Sequence, residues 1–202
     1  MNQVTETKQS LILYAALHEF ANKGYKKAST NSIVKQAGVS KGLLFHYFIS
    51  KKELFIKIHQ HILIVFNDEL NDCVNFEDRD VLERLSKSTV CRTNSYIHHP
   101  VFVKFLQAVS NCKDEEIKAR CQKQSHVIIQ KTYKKLFDNI DYFLFVDNID
   151  VKQSLNVVRW TIERLSNNWF RENGNTYKAS KFDDLKSSIE TYINLFKQTF
   201  YK

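Results

Sequence analysis

Four glycines and one proline in 202 residues leave this backbone very few places to turn sharply. Those two residue types together make up roughly a tenth of an ordinary globular chain, and tight β-hairpins lean on glycine turns. A sandwich, a barrel or a doubly wound sheet is disfavoured, as is a glycine-rich phosphate loop, and the expected fold class is all-α. The punctuation is also lopsided. Gly24, Gly38 and Gly42 fall in the first 42 positions, leaving Gly174 and Pro100 for everything after them.

Charge is lopsided in the same way. The formal net charge is +8, but residues 1–52 carry eight lysines against two glutamates, a net +6, and the remaining 150 residues supply only +2. A local positive field suits a polyanion-binding module, although a lysine-rich solvated surface would look the same in a sequence. No apolar run approaches the roughly 20 residues of a membrane helix, and the polar opening Met1-Asn2-Gln3 is not that of a signal peptide. A cytoplasmic protein with no membrane partner is expected. Cys73, Cys91, Cys112 and Cys121 form no CxxC pair, so reduced thiols are expected and no metal site. The pairs His59/His61 and His98/His99 diverge on a helix and read as exposed histidines. Neither GxSxG nor HExxH occurs, so the chain is not expected to be an enzyme or to need a cofactor.

In the N-terminal quarter, Leu13, Ala16, Leu17 and Phe20 repeat at i, i+3, i+4 and i+7, predicting an amphipathic helix near 7–23 closed by Gly24. Ser29 or Thr30 is placed to cap a second, short helix that turns Ile33, Val34 and Ala37 inward, and Gly38 stops it. Ser40 is placed to cap a third over Lys41–Phe48, with Leu44 and Phe48 on one side and Lys41, Leu43, His46 and Tyr47 on or beside the other. Two short helices joined by a tight turn make a helix-turn-helix, whose second member enters the DNA major groove. Ser50-Lys51-Lys52-Glu53 has the spacing of a capping box opening a fourth helix, whose positive N-terminal dipole and two lysines suit a phosphate.

The run Ala15-Ala16-x3-Phe20-Ala21-x2-Gly24-Tyr25, then Ile33-x3-Ala37-Gly38-Val39-Ser40-Lys41-Gly42-Leu43-Leu44-Phe45-His46-Tyr47-Phe48, then Ser50-Lys51-Lys52-Glu53-Leu54, resembles the DNA-binding domain of the tetracycline-repressor (TetR) family over residues 8–55. The resemblance implies a helix-turn-helix domain over 1–50 and a helical ligand-binding and dimerisation domain over 51–202. It implies that Thr30 and the backbone around Ser40, Lys41 and Gly42 contact phosphate, that Lys41, Leu43 and His46 face base edges, and that Tyr47 and Lys51 bind the backbone. Gly42 would let the third helix approach DNA closely. Phe45 stands where the family usually has tyrosine, so a sugar or a thymine methyl replaces one phenolic phosphate contact.

Beyond residue 55, helices are expected from 51 to about 70, about 78–97, 101–111 after Pro100, and 114–138. Two stripes follow, on helices expected to be parted by Gly174: Leu155, Val158, Ile162, Leu165 and Trp169, then Leu185, Ile189, Tyr192 and Phe196. Such seams pack either inside one chain or between two; the family resemblance implies a homodimer built on them. Aromatic residues of the middle region, Tyr96, Phe102, Phe105, Tyr133, Phe137 and Trp160 with Glu163, are candidate walls for an unknown, partly apolar or aromatic effector, with ordinary core packing as the alternative for each.

The expected function is a ligand-responsive repressor that binds a palindromic operator as a dimer and is released by a small molecule. The alternative is a constitutive DNA-binding protein without an effector. The first arginine is Arg79, so the N-terminal quarter lacks the bidentate Arg-to-guanine contact, leaving Lys41 as its cationic reader of guanine. Binding-site selection should therefore return half-sites poor in guanine and rich in A·T pairs; G·C-dominated half-sites would contradict this reading.

Overall fold

A computed structural model describes residues 7–173 and 179–202; Gly174, expected to part the last two helices, lies outside them. The described residues form helices α1 (Lys8–Lys27), α2 (Thr30–Ala37), α3 (Lys41–Phe48), α4 (Lys51–Cys73), α5 (Val81–His98), α6 (Pro100–Ser110), α7 (Glu115–Phe137), α8 (Val151–Asn173) and α9 (Ala179–Phe200), with one 3-10 turn at Tyr142–Leu144. They group into two compact units, Met1–Val65 with His99–Ile129, and Phe66–His98 with Gln130–Lys202. This grouping differs from a 1–50/51–202 division because α6 packs along α1 and the first part of α7 goes with it.

In the first unit, Thr7 caps α1 by accepting the Ser10 N–H at 3.2 Å, and Ile12, Ala16 and Phe20 are wholly buried on its inner face. Gly24 then leaves helical space at φ 69° and kinks the end of α1. The core is aromatic: the Phe20 and Phe55 rings meet edge-on at 4.9 Å, Phe55 and Phe105 lie 4.7 Å apart, and Tyr25 meets Phe55 at 5.3 Å. Such pairs add about 0.5–1.5 kcal/mol each beyond area burial. Phe105, expected to line a ligand pocket, is fully buried in this cluster and is core instead. Pro100 opens α6 in its first turn, where the missing N–H costs nothing.

Polar contacts tie α4 to the start of α7. Only half of the capping box forms: Ser50 Oγ accepts the Glu53 N–H at 3.1 Å, but the Glu53 carboxylate is held bidentately by Arg120, with Nη2 to Oε2 at 2.8 Å, and the Ser50 N–H goes to the Phe48 carbonyl. The Arg120 guanidinium holds Glu53 below the usual carboxylate range. His59, expected to be exposed, is instead 2% exposed, and pairs through Nδ1 with Gln124 Oε1 at 2.8 Å and through Nε2 with Ser125 Oγ at 3.3 Å. Burial lowers its pKa, and the Gln124 contact offsets this only in part.

In the second unit α5, α8 and α9 pack together. The expected dimer stripes lie at the centre of this packing. Leu155, Val158, Ile162, Trp169, Leu185, Ile189 and Phe196 are all buried within the chain, and Leu165 packs against them. The seam is therefore intrachain core, with Tyr192, 39% exposed, the exception. The C-terminus is pinned: Tyr201 donates to Asp80 at 2.8 Å, Lys197 pairs with Asp80 and Glu83, and the Val146 N–H reaches the Phe200 carbonyl at 2.9 Å. Arg84, fully buried, donates to the carbonyls of Phe76, Lys135 and Asp138, closing the end of α7. All four cysteines are free. Burial raises Cys91 to about 12 and Cys121 to about 11, so both are neutral thiols.

Two outcomes follow from this packing. Ile162→Ala should destabilise the chain by about 2–5 kcal/mol in denaturant titration, as a truncated core isoleucine does. For His59, the unfolded chain binds a proton near pH 6.5 while the folded chain resists it, so stability falls as pH drops below the unfolded pKa. Unfolding midpoints at pH 7 and pH 5 should differ less in His59→Gln than in the parent.

Candidate nucleic-acid interface

The surface nominated by the sequence is assembled within the first unit by three caps and one turn. Ser29 Oγ accepts the Ser32 N–H at 3.4 Å and starts α2, leaving Thr30 in the first helical turn. Gly38 ends α2 in the left-handed conformation, φ 64° and ψ 34°, which L side chains adopt only at a cost of about 1–2 kcal/mol. Ser40 Oγ accepts the Leu43 N–H at 3.1 Å and starts α3. Ile49 then closes α3 at φ 57°, ψ −49°, with its N–H on the Phe45 carbonyl at 2.9 Å.

Behind this surface sits Glu19, 8% exposed, which accepts the Ser29 N–H and the Lys23 ammonium, both at 2.9 Å. Burial alone would raise its pKa, but these two donors outweigh burial and keep it below the usual carboxylate range. A buried carboxylate thus anchors the start of α2 to α1.

Leu44 and Phe48 are buried beneath α3. Lys41, Gly42, His46 and Tyr47 are exposed on it, while Leu43 and Phe45 are half-buried at its sides. The His46 and Tyr47 rings meet edge-on at 5.5 Å. A Cβ at Gly42 would meet only Ser40 Oγ, at 3.9 Å, so no contact inside the chain demands glycine there. Ser40 is exposed with its oxygen engaged in the cap. Lys51 is more restrained than a free surface lysine: Nζ sits 4.9 Å from the centre of the Tyr25 ring and 3.4 Å from the Lys26 carbonyl, and burial lowers its pKa. The nine nominated residues therefore lie on the first turn of α2, on α3 and its cap, and at the start of α4.

The residues nominated for an effector pocket do not come together. Phe102 and Phe105 belong to the first unit, where Phe102 faces His99 at 4.8 Å. In the second unit Tyr96 lies beside Phe66 and Phe170, and Trp160 is 56% exposed. Tyr133 and Phe137 line a cavity of about 540 Å3, with Ile140, Tyr142, Leu155 and Arg159 among its other walls. Tyr133 donates to Glu163 at 2.8 Å, and the Arg159 guanidinium lies 3.6 Å from Glu163 and 5.5 Å from the Tyr133 ring. Arg159 was not nominated. Its i, i+4 spacing to Glu163 was the available signal. Among the described residues no three His, Cys, Asp or Glu side chains gather as a metal site requires, and no helix is long and apolar enough to cross a membrane.

Comparison with known proteins agrees with this geometry. Residues 12–58 match the family described as bacterial regulatory proteins, tetR family. The uncharacterized HTH-type transcriptional regulator YvdT of Bacillus subtilis is 37% identical over 70 residues, covering 35% of this chain and 36% of that protein, so the similarity spans about a third of this relative. A putative tetR family regulator from Shewanella has a similar fold, with a TM-score of 0.69 at 18% identity over 98% of this chain and all of that one. The regulator FadR of Bacillus subtilis, solved in complex with stearoyl-CoA, aligns with a TM-score of 0.62 at 18% identity over 93% of this chain and 97% of that one. Residues 12–58 of this chain thus match the tetR family, and the chain as a whole has a fold similar to those of the solved TetR-family regulators.

Proposed function

We propose that this protein is a transcriptional regulator, acting as a repressor, that grips a palindromic operator as a homodimer and lets go when a small molecule binds the second unit. The observation that carries the reading is α3. Its capped first turn, with Lys41 and bare Gly42, and its exposed His46 and Tyr47 stand on a buried Leu44/Phe48 base within a matched TetR domain. One eight-residue helix reads a half-site, and a two-fold dimer supplies the second reader.

With the original seam buried, the face offered to a second copy is the outward one of the same two helices. Val157 and Trp160 on α8 and Tyr192 and Leu195 on α9 are 45%, 56%, 39% and 51% exposed. Large apolar side chains grouped on packed neighbouring helices mark an association surface. For the effector, the cavity beside Tyr133 and Phe137 has apolar walls and the cations Arg159 and Lys152, which favours an amphipathic molecule bearing an acidic group. FadR with stearoyl-CoA is a ligand of that description on the same fold. Operator and effector binding would be linked reciprocally, with a coupling of about 1–3 kcal/mol.

Paired variants test the DNA assignment. Lys51→Ala should weaken binding to every sequence and reduce the salt slope by about one unit, as one lost phosphate contact does. Lys41→Ala should relax base preference at one operator position; equal losses on selected and random DNA would remove Lys41 from base reading. Trp160→Glu with Leu195→Glu should sediment as a monomer with little operator affinity, and a variant that stays dimeric would move the interface elsewhere.

A further inference from the structure

The first unit holds a basic feature that the DNA face does not account for. Of the eight lysines in residues 1–52, Lys41 and Lys51 stand at expected DNA contacts, and Lys52, also expected at a phosphate, is paired instead with Asp114 and Glu116. Lys23, Lys26 and Lys27 instead line a cavity of about 780 Å3 beside the kinked end of α1, and Lys104 of α6 and Lys113 just after it line the same space. One carboxylate, Asp114, shares the wall. It is engaged already, with Lys52 at 3.4 Å and with the Ile117 N–H at 3.1 Å.

The charge on this wall is largely uncompensated. Lys23 pairs with Glu19, and Lys104 donates at 2.7 Å to Asn22, a neutral amide. Among the described residues Lys26, Lys27, Lys104 and Lys113 have no carboxylate partner. Four unneutralised ammonium groups around one concavity raise its potential and concentrate anions there. The cavity falls within the roughly 300–1,000 Å3 typical of small-molecule sites. Its cations are all lysine. An ammonium is a compact point charge whose three donors approach anionic oxygens from several directions, so several of them around one space suit a group bearing several negative charges, as the phosphate-binding lysines of phosphate loops do. Tyr25, Ala21 and Ala108 add apolar wall.

We propose that this cleft binds a small molecule carrying several phosphate groups, with the lysines at the end of α1 and Lys104 and Lys113 holding it from opposite walls. The ligand would carry three or four negative charges, as a nucleoside triphosphate or a bisphosphate does. The site is distinct from the effector cavity of the second unit and does not depend on it.

Titration calorimetry of the full chain with sodium tripolyphosphate at physiological salt tests this. The expected result is one saturable site per chain, weakened at least about tenfold in Lys104→Gln/Lys113→Gln, the order expected when two charge-assisted contacts go, and unchanged in Lys41→Ala. Both replaced lysines are exposed, so the variant should melt as the parent does; should it not, Lys26→Gln/Lys27→Gln serves in its place. Absence of saturation overturns the proposal, as does equal affinity in the double variant. Loss of binding in Lys41→Ala would place the anion on the DNA face and overturn it too. If tripolyphosphate fails to saturate while the double variant weakens binding to all DNA sequences, these lysines serve the DNA backbone and the proposal falls, leaving the repressor reading intact.

Discussion

An eight-residue helix in water does not hold itself together, because nucleation costs more than so few hydrogen bonds return. The rest of the first unit exists in large part to satisfy that constraint for α3. Leu44 and Phe48 root the helix in the packing of α1 and α2. The aromatic cluster of Phe20, Phe55 and Phe105 fixes α1 against α4 and α6. Glu19, buried and bonded to the Ser29 N–H and the Lys23 ammonium, sets where α2 begins. The proposed reading surface is thereby supported from beneath, and the exposed His46 and Tyr47 are not needed for the packing of the core. His46 and Tyr47 can be chosen for what they touch outside the chain.

What could be read from sequence and what could not divides along the range of the interaction involved. Ser29, Gly38, Ser40 and Ser50 act on groups within about one helical turn of themselves, and their roles were legible residue by residue. Glu53 was legible as an acceptor, but its actual partner, Arg120, lies 67 positions away, and no local pattern marks that pairing. The stripes of α8 and α9 show the same limit. A heptad pattern reports that a face is buried without reporting against what. Here each stripe meets the other and α5, and the face proposed for a second copy is the adjacent one, where Val157, Trp160 and Leu195 look like scattered apolar residues in a sequence. The aromatic residues of 96–145 divide for a related reason: composition gave their chemistry, and only packing separated Phe105 in the core from Tyr133 and Phe137 at a cavity wall.

The two units differ in how they handle charge, and that difference bears on what each can bind. The second unit pairs several of its half-buried ions locally. Lys197 sits between Asp80 and Glu83, Arg159 lies beside Glu163, and the buried Arg84 donates through Nη1 to three carbonyls. The first unit leaves several ammonium groups without carboxylate partners. Compensated charge favours ligands whose recognition is mostly apolar with a single polar anchor, and uncompensated charge favours polyanions. Salt should accordingly matter far more to ligands of the first unit than to those of the second.

The absence of arginine before position 79 sharpens this division within the DNA face itself. A bidentate arginine supplies affinity and base identity through one side chain. A lysine supplies mostly affinity, since its ammonium accepts many geometries at nearly equal energy. If α3 reads DNA as proposed, the remaining sources of base identity are Leu43 and Phe45, which suit a thymine methyl, the two ring nitrogens of His46, and the close approach that Gly42 would permit. On the proposed reading, the cations fix how tightly the domain holds any duplex, while a different and largely uncharged set decides which duplex. Affinity and specificity would then reside on separable residues, and raising salt should lower the first much more than the second.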